Sequence, residues 1–516
     1  MNRPSWMVEK LGEAVTKHSI SAHATFVGEW FLPSEEGSEQ RIAGTLTWSS
    51  EHASLELHKS LVPLQGAVYG DEIQTYPVIH GTTIESQYIT VLNALRTNNN
   101  FSFGPAGVNQ SERVISSWVV IGAHVTEQTL YGEVRVRIPG LQMWLSRPSI
   151  KQTVLTSEHG NALTILYEIG PLPEELCEIP SQRVTLGWGI ETNHSGDQST
   201  DISVRSSGWL RVKSSEPKPL EWFINQVGKA TTLLSLLAGS PMSLDAISAK
   251  IVDYDVNLEV LVALRADQHC ECKSLHEFYM LRSGLGVDFR DVFARWFENY
   301  ETVGMPSQLA LSVLSSEKLW LHVEFLSLMQ ALEGFHRATM PGLYTTEVEY
   351  EPVRHALSNA IPSSVKPDHK DALKSRIKYG NEISLRKRLD ALADRLALPL
   401  RKMILGGDGN VPRSWVATRN YYTHWDDASR EGTLDGPGMH RASFRMRHLI
   451  RALYLDFAGV PQEAILRSLV NTCRESQYLI QLNNAEVRRN HPGAQVTPLM
   501  QIGVDGAGSS GGQEAE

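Results

Sequence analysis

The alternation of hydrophobic and polar positions changes character near residue 215. Before that point the segments GTLTWSS, ASLELHKSL, QYITVLNAL, SWVVIGAHV, GEVRVRIPGL and ALTILYEIG alternate apolar and polar side chains between turn residues. A period of two predicts strands with one buried face, and many short strands predict a sandwich or barrel. At Lys218 the period lengthens. In PLEWFINQVGKATTLLSLLAGSP, Leu220, Phe223, Val227, Leu233, Leu234 and Leu237 recur at helical spacing. Pro219 suits the first turn, and Gly239 with Pro241 suits the stop. IVDYDVNLEVLVAL is again strand-like, and from about Asp288 onward FRDVFARWFENY, EKLWLHVEFLSLMQALEGFHRA, EPVRHALSNAI, SLRKRLDALADRLALPLRKMI, SWVATRNYYTHW, SFRMRHLIRALYLDFAGV and EAILRSLVNTCRESQYLIQL are amphipathic helices between Pro and Gly breaks. Such a run predicts a helical bundle. The end, VDGAGSSGGQEAE, has nothing to bury and is expected to be disordered. The expected organisation is multidomain α and β: a β-rich, sandwich-like domain over 1–215, a mixed helix and strand connection over 216–305, an all-α bundle over 306–485 and a tail over 486–516.

Composition narrows the class. With 516 residues, 41% hydrophobic and 21% charged, the chain has material for more than one core. The N-terminus MNRPSWMVEKLGEAVTKHS lacks the apolar run of a signal peptide, and no stretch approaches a membrane span. A cytoplasmic protein without membrane partners is expected. Four cysteines, Cys177, Cys270, Cys272 and Cys473, are too few and too irregular for a disulfide framework. The net charge of −10 excludes a protein that coats nucleic acid over its whole surface, because such binding neutralises phosphates. From Lys366 to Arg451, however, 18 Lys and Arg stand against 10 Asp and Glu. The segment is locally basic, as a solvated helix surface or as an approach path for an anion.

Few motifs carry chemistry. In DQHCECKSLH, residues His269, Cys270, Cys272 and His276 cluster, but the cysteines are spaced below the usual zinc range. Gly228-Lys229 lacks the other residues of a phosphate-binding loop, and no nucleophile elbow or paired-histidine metal motif is present. No cofactor and no metal are expected. What remains is Arg419-Asn420-Tyr421-Tyr422-Thr423-His424. Histidine accepts or donates a proton near neutral pH, and arginine forks onto phosphate oxygens. RNA carries its own nucleophile, the 2′-hydroxyl, so a base, an acid and a fixed cation suffice to cleave it without a metal. Five residues on an ideal helix turn through about 500°, which leaves Arg419 and His424 about 140° apart. One helix alone makes a poor site.

The arginine, four residues, histidine spacing resembles the signature of HEPN domains, helical bundles that include many ribonucleases. Asn420 is the polar residue that many active members carry after the arginine. The helix QALEGFHRA, with Glu333 and His336, lies about ninety residues upstream, as in the Apea-like HEPN group, and the Trp and Asp after His424 are similar to that group as well. The N-terminal half resembles the domain usually fused to it: FVGEWFLP, GTLTWSS with LELHKSL, IHGTTIESQYITVLNA, and VIGAHV before VRVRIPGLQMWL. Together the resemblances cover most of residues 20 to 480. Some HEPN toxins carry a modified tyrosine two residues after the histidine; Asp426 stands there, so that mode of silencing is not implied.

The resemblance implies an ApeA-like antiphage effector in which the N-terminal domain holds a HEPN ribonuclease inactive until a phage protein is sensed. It implies a homodimer, with Arg419 and His424 of two bundles lining one cleft. It also implies an RNA substrate, with tRNA the expected one. Three further residues are candidates for support. Asn420 orients the phosphate or caps the helix, Glu333 tunes the site or pairs with a basic neighbour, and Tyr422, with Tyr421, stacks on an unpaired base or is buried. Trp415 and Trp425 read as core aromatics. The alternative is a bundle without catalysis that dimerises a β-sandwich receptor for a peptide or carbohydrate.

Overall fold

A computed structural model describes the chain outside residues 1–17, 35–38, 63–73, 105–106, 157–162, 171, 196–202, 253–255, 264–274, 317, 426–429, 472–474 and 491–516. It divides into two compact units, Met1–Leu234 with Pro241–Leu275, and Ser235–Ser240 with His276–Glu516.

The first unit is strand-rich. Its strands are β1 (Ala24–Phe31), β2 (Ile42–Trp48), β3 (Ala53–Leu57), β4 (Thr75–Thr83), β5 (Tyr88–Gly104), β6 (Gly107–Ser116), β7 (Trp118–Ile121) and β8 (Tyr131–Ile138). After a short helix α1 (Leu141–Leu145) come β9 (Ile150–Thr156), β10 (Leu163–Ile169), β11 (Glu175–Ile179), β12 (Val184–Ser195) and β13 (Ser203–Lys218). Helix α2 (Leu220–Ala238) precedes β14 (Ala246–Ile251) and β15 (Asn257–Val262). Thirteen of these strands form one sheet in the order β11-β12-β13-β8-β14-β15-β7-β5-β4-β1-β2-β3-β6, and β6 also pairs with β5. That last pairing closes six strands into a barrel, and the remaining seven extend outward from it.

Closure uses a change of partner along β5. Along one edge of β5, Ile89–Leu92 pair with β7 and residues from Leu95 onward pair with β6. Asn93 lies at the changeover with φ +51, a backbone region that asparagine tolerates better than most residues. The six-strand ring is filled around Trp30, which is fully buried and donates Nε1–H to the Gly44 carbonyl at 3.1 Å. Gly81 has to be glycine, because a Cβ there would lie 2.4 Å from the Trp30 ring. The segments FVGEWFLP, GTLTWSS and IHGTT are therefore one packing unit: a tryptophan and the two glycines against which it sits.

The stretch expected as a mixed helix and strand connection over 216–305 includes α2, β14 and β15. β14 and β15 stand between β8 and β7 in the sheet, β14 pairing with β8 and β15, and β15 with β14 and β7. A bundle start at 306 falls inside helix α3 (Phe289–Ser315), which continues through Pro306. Proline removes one amide donor, the one that would serve the Thr302 carbonyl; the next residue, Ser307, donates its hydroxyl to Gly304 O at 2.7 Å.

The second unit is helical. After α3 come α4 (Leu321–Thr339), α5 (Glu347–Asn359), α6 (Pro367–Lys378), α7 (Leu385–Asp394), α8 (Leu398–Leu405), α9 (Arg413–His424), α10 (Gly436–Phe457), α11 (Gln462–Asn471) and α12 (Ser476–Asn490). α4 packs on α3 and α10, with Phe335 edge-on to Tyr454 at 4.7 Å and Trp296 edge-on to the same ring at 6.3 Å. α10 is the most enclosed helix and carries buried Arg445, His448 and Arg451. Arg445 donates to the Ile404 carbonyl at 2.7 Å and pairs with Glu486 at 2.9 Å, while Arg451 donates to the Gly239 carbonyl at 2.6 Å and to Glu475 at 2.9 Å. These buried cations tie loops and α12 to the bundle by charge-assisted hydrogen bonds. Helix α12 extends to Asn490, past the expected start of the tail at 486; residues 491–516 lie outside the described residues.

Candidate active site

Helix α9 begins after Pro412, whose ring pre-sets the entering backbone. Trp415 and Thr418 are its buried residues. The Thr418 hydroxyl donates to Ser414 O at 2.7 Å and accepts from the Leu434 amide at 2.8 Å, which fastens the returning chain to the helix. At about 100° per residue, His424 stands about 180° from Trp415 and Arg419 only about 40° from it. The sequence thus aims His424 outward and leaves Arg419 on the flank of the buried stripe. His424 is exposed, and the Arg419 side chain is 31% exposed.

Two groups touch Arg419. Glu333 Oε2 on α4 lies 3.8 Å from its Nη2, and Nη1 donates to Asn420 Oδ1 at 3.3 Å. Both contacts are long. A part-exposed ion pair of this kind contributes about 0–1 kcal/mol, so the guanidinium is oriented without being consumed. Glu333 is anchored from its other side, where Oε1 accepts from Arg337 Nε at 3.1 Å. Arg337 also pairs with Glu382 at 2.8 Å, and Glu382 accepts from Arg388 at 3.0 Å. A chain of alternating charge therefore runs from the buried Arg388 of α7 through α4 to Arg419 of α9. Burial works against the charge on Arg337, but its bonds to Glu382 and Glu333, with the charges of both, outweigh that and hold it more firmly protonated.

His336, on the same helix as Glu333, is fully buried, and Arg388 donates to its Nδ1 at 3.2 Å. Burial, followed by the charges of Arg388 and Arg337, pushes its pKa down. It is a neutral structural histidine that helps to orient Arg388. Asn420 does not cap α9: the cap position is Trp425, with φ +51, whose amide donates to Tyr421 O at 2.7 Å. Tyr422 is half-buried and its ring lies parallel to that of His322, at 6.1 Å and 11°. The two tryptophans of this segment part company: Trp415 is buried, whereas Trp425 is 71% exposed.

The structure therefore brings Arg419, Asn420 and Glu333 together, places Tyr422 against α4, and sets His424 at the end of α9. Sequence reasoning passed over Arg337, Glu382, Arg388 and His322. Only Arg337 had a visible signal, its i,i+4 spacing from Glu333; the others are brought in by tertiary packing. Asp426, Cys270, Cys272, Cys473 and His269 lie outside the described residues, and Cys177 is a buried free thiol. Among the described residues no group of three or more His, Cys, Asp or Glu is placed to hold a metal, and no helix is long and apolar enough to cross a membrane.

Two family models match the chain. ApeA N-terminal domain 1 matches residues 25–296, just over half of the 516, and Apea-like HEPN matches residues 326–464, which include Glu333, Arg419, Asn420, Tyr422 and His424. No curated protein and no solved structure gives a significant match. Their order and extent account for both units, and the chain belongs to the ApeA family, in which this N-terminal domain is joined to an Apea-like HEPN domain.

Proposed function

We propose that the chain is a metal-independent endoribonuclease effector of antiphage defence. The observation that carries the proposal is the arrangement on α9: an arginine only loosely held by Glu333 and Asn420, and an exposed histidine at the end of the same helix. In the reaction a histidine base takes the proton of the 2′-hydroxyl, and the 2′-oxygen bonds to phosphorus. The bond from phosphorus to the 5′-oxygen breaks, and that oxygen takes a proton from the conjugate acid of a second histidine. The products are a 2′,3′-cyclic phosphate and a 5′-hydroxyl. Arg419 stabilises the charge that builds on the phosphate oxygens in between. One α9 offers one such histidine, so two copies of the chain supply the acid and the base in one cleft.

Regulation follows from chain architecture. A nuclease that stops translation by cutting tRNA must be silent in a healthy cytoplasm, and among its described residues the large strand-rich unit carries no comparable pairing of loosely held cation and exposed base. In this proposal it is the element that senses a phage protein and releases the HEPN unit, giving abortive infection.

The test is incubation of the purified protein with total tRNA in EDTA, with and without lysate of phage-infected cells, followed by end analysis of the products. Cyclic phosphate and 5′-hydroxyl ends that vanish in Arg419→Ala and His424→Ala are expected. Cleavage unchanged by both substitutions would overturn the site, and no cleavage under any condition would favour a dimerising receptor.

A further inference from the structure

We infer that Arg337 is a positioning residue of this site: it holds the Glu333 carboxylate back from Arg419, and so keeps the Arg419 guanidinium open to a phosphate. The inference rests on the ribonuclease reading and adds to it a residue that acts through another side chain.

Glu333 stands between two arginines. Its Oε1 accepts from Arg337 Nε at 3.1 Å, whereas its Oε2 lies 3.8 Å from Arg419 Nη2, beyond hydrogen-bond range. Arg337 follows Glu333 by one helical turn on α4, with the glutamate on the N-terminal side, the order that a helix favours for such a pair. Among the described residues Arg337 is the one hydrogen-bond partner of Glu333, and Arg419 is the one other cation within 4.0 Å of it. An N–H to carboxylate bond between charged groups closes to about 2.7–2.9 Å, so a shift of about 1 Å would convert the longer contact into such a bond. Side-chain rotation of Glu333 can supply that shift. What prevents it is the bond to Arg337.

Arg337 is itself held from the side away from Glu333. Its Nη2 pairs with Glu382 at 2.8 Å. The Glu382 backbone is fixed by its bridge to Leu343, and the Ile383 amide beside it donates to Gly342 O at 3.0 Å. The Glu382 carboxylate also accepts from Arg388 at 3.0 Å, and Arg388 is 2% exposed. That buried guanidinium packs so closely on Gly342 that a Cβ there would lie 2.6 Å from its Nη1, which donates to His336 Nδ1 at 3.2 Å. Of the two carboxylates on Arg337, Glu382 is therefore the anchored one, and it fixes where Arg337 can hold Glu333. All of these contacts lie within one chain. Without Arg337, Glu333 keeps its charge and has Arg419 as its cation, and a guanidinium bonded to a carboxylate has fewer donors for phosphate oxygens.

The experiment is a double-mutant cycle on the full chain with two readouts: RNA cleavage, and the rate at which phenylglyoxal modifies Arg419, followed by peptide mass spectrometry. Arg337→Ala is expected to lower cleavage by about 10- to 100-fold, the strength of one hydrogen bond to a charged group. Phenylglyoxal attacks open guanidinium groups, so Arg419 should react more slowly in the same variant. Arg337→Ala combined with Glu333→Gln should return both readouts to the level of Glu333→Gln alone, because the neutral amide has no charge with which to hold Arg419. Arg337→Lys keeps a cation on Glu333 and should stay within about fivefold of the parent protein. Thermal midpoints should be close to one another, since the Arg337 side chain is half-exposed. Unchanged cleavage in Arg337→Ala, or equal modification rates in all variants, would overturn the inference. So would a loss that Glu333→Gln does not repair: with an unchanged midpoint it would assign Arg337 to direct contact with RNA, and with a lowered midpoint to the stability of the bundle. The ribonuclease reading fails separately, since a parent protein that cuts no RNA but shows the expected modification pattern keeps the restraint on Arg419 and loses the reaction.

Discussion

Glu112 of the strand-rich unit and Arg419 of the helical unit are both charged groups drawn out of water, and they are handled in opposite ways. Glu112 is 2% exposed and accepts from Ser60 Oγ at 2.9 Å, the Leu61 amide at 2.8 Å and Tyr76 Oη at 2.5 Å. The Tyr76 hydroxyl is held protonated by its burial and by that carboxylate. Both carboxylate oxygens are engaged within the fold. Arg419 is one-third exposed, with contacts at 3.3 and 3.8 Å. The first arrangement locks a barrel; the second keeps a cation aimed and available. Buried polar groups must be satisfied within the fold, whereas a group that works on a ligand has to retain unsatisfied donors. The difference separates a scaffold from a site even where both are rich in hydrogen bonds.

The strongest way to break this comparison is to remove the working groups. His424→Ala and Arg419→Ala are each expected to lower RNA cleavage by about 10²- to 10⁴-fold, with thermal midpoints close to that of the parent protein because both side chains are at least partly exposed. A large fall in midpoint would mean that they hold the bundle together instead. The converse substitution is Gly81→Ala, which forces a methyl into the Trp30 ring and should cost the strand-rich unit about 1–3 kcal/mol in denaturant titration. Unchanged stability would show that the ring can move and that the barrel is not built around it.

Acidification tests both units together. His80 and His124 stack face to face at 4.4 Å in the first unit, and burial lowers both, His124 to about 4. In the second unit burial lowers His336, and it lowers the enclosed His448 still further. An unfolded histidine takes up a proton near pH 6.5. The unfolded chain therefore binds more protons below that pH, so stability is complete above about 6.5 and falls as pH drops from there toward about 4. Urea midpoints measured across that window should decline, and a flat profile would refute the neutral assignments. The smallest effect is expected from Glu333→Gln. Its pair with Arg419 is long and part-exposed, so cleavage should change by less than about fivefold. A loss as large as that of His424→Ala would make Glu333 a participant in the reaction.

Much of the fold is legible in the sequence because secondary structure follows local periodicity. The alternating segments are β2, β3, β5, β7, β8 and β10, and the helical ones include α2 to α5 and α7 to α11. Gly239 indeed ends α2, with φ +82. Strand partners are not legible in the same way: nothing local to β14 and β15 says that they sit beside β8 and β7. Pro306 shows the other weakness, since a residue that usually ends helices lies inside α3, whose buried residues continue on both sides of it. In the site, Arg419, Asn420 and His424 are adjacent in sequence and were visible as a motif. Arg388 and Glu382 reach Arg419 only through Arg337 and Glu333 of α4, and His322 meets Tyr422 across a hundred residues.

The sequence by itself determined the two classes of unit, the order of their motifs and the residue types able to work on a phosphodiester, because these depend on side-chain chemistry and spacing along one element. Only the tertiary structure decided that the barrel closes, that Glu333 faces Arg419, and that Trp415 is core while Trp425 stands in solvent. Such outcomes depend on which faces meet, and two tryptophans ten residues apart differ only in what packs against them.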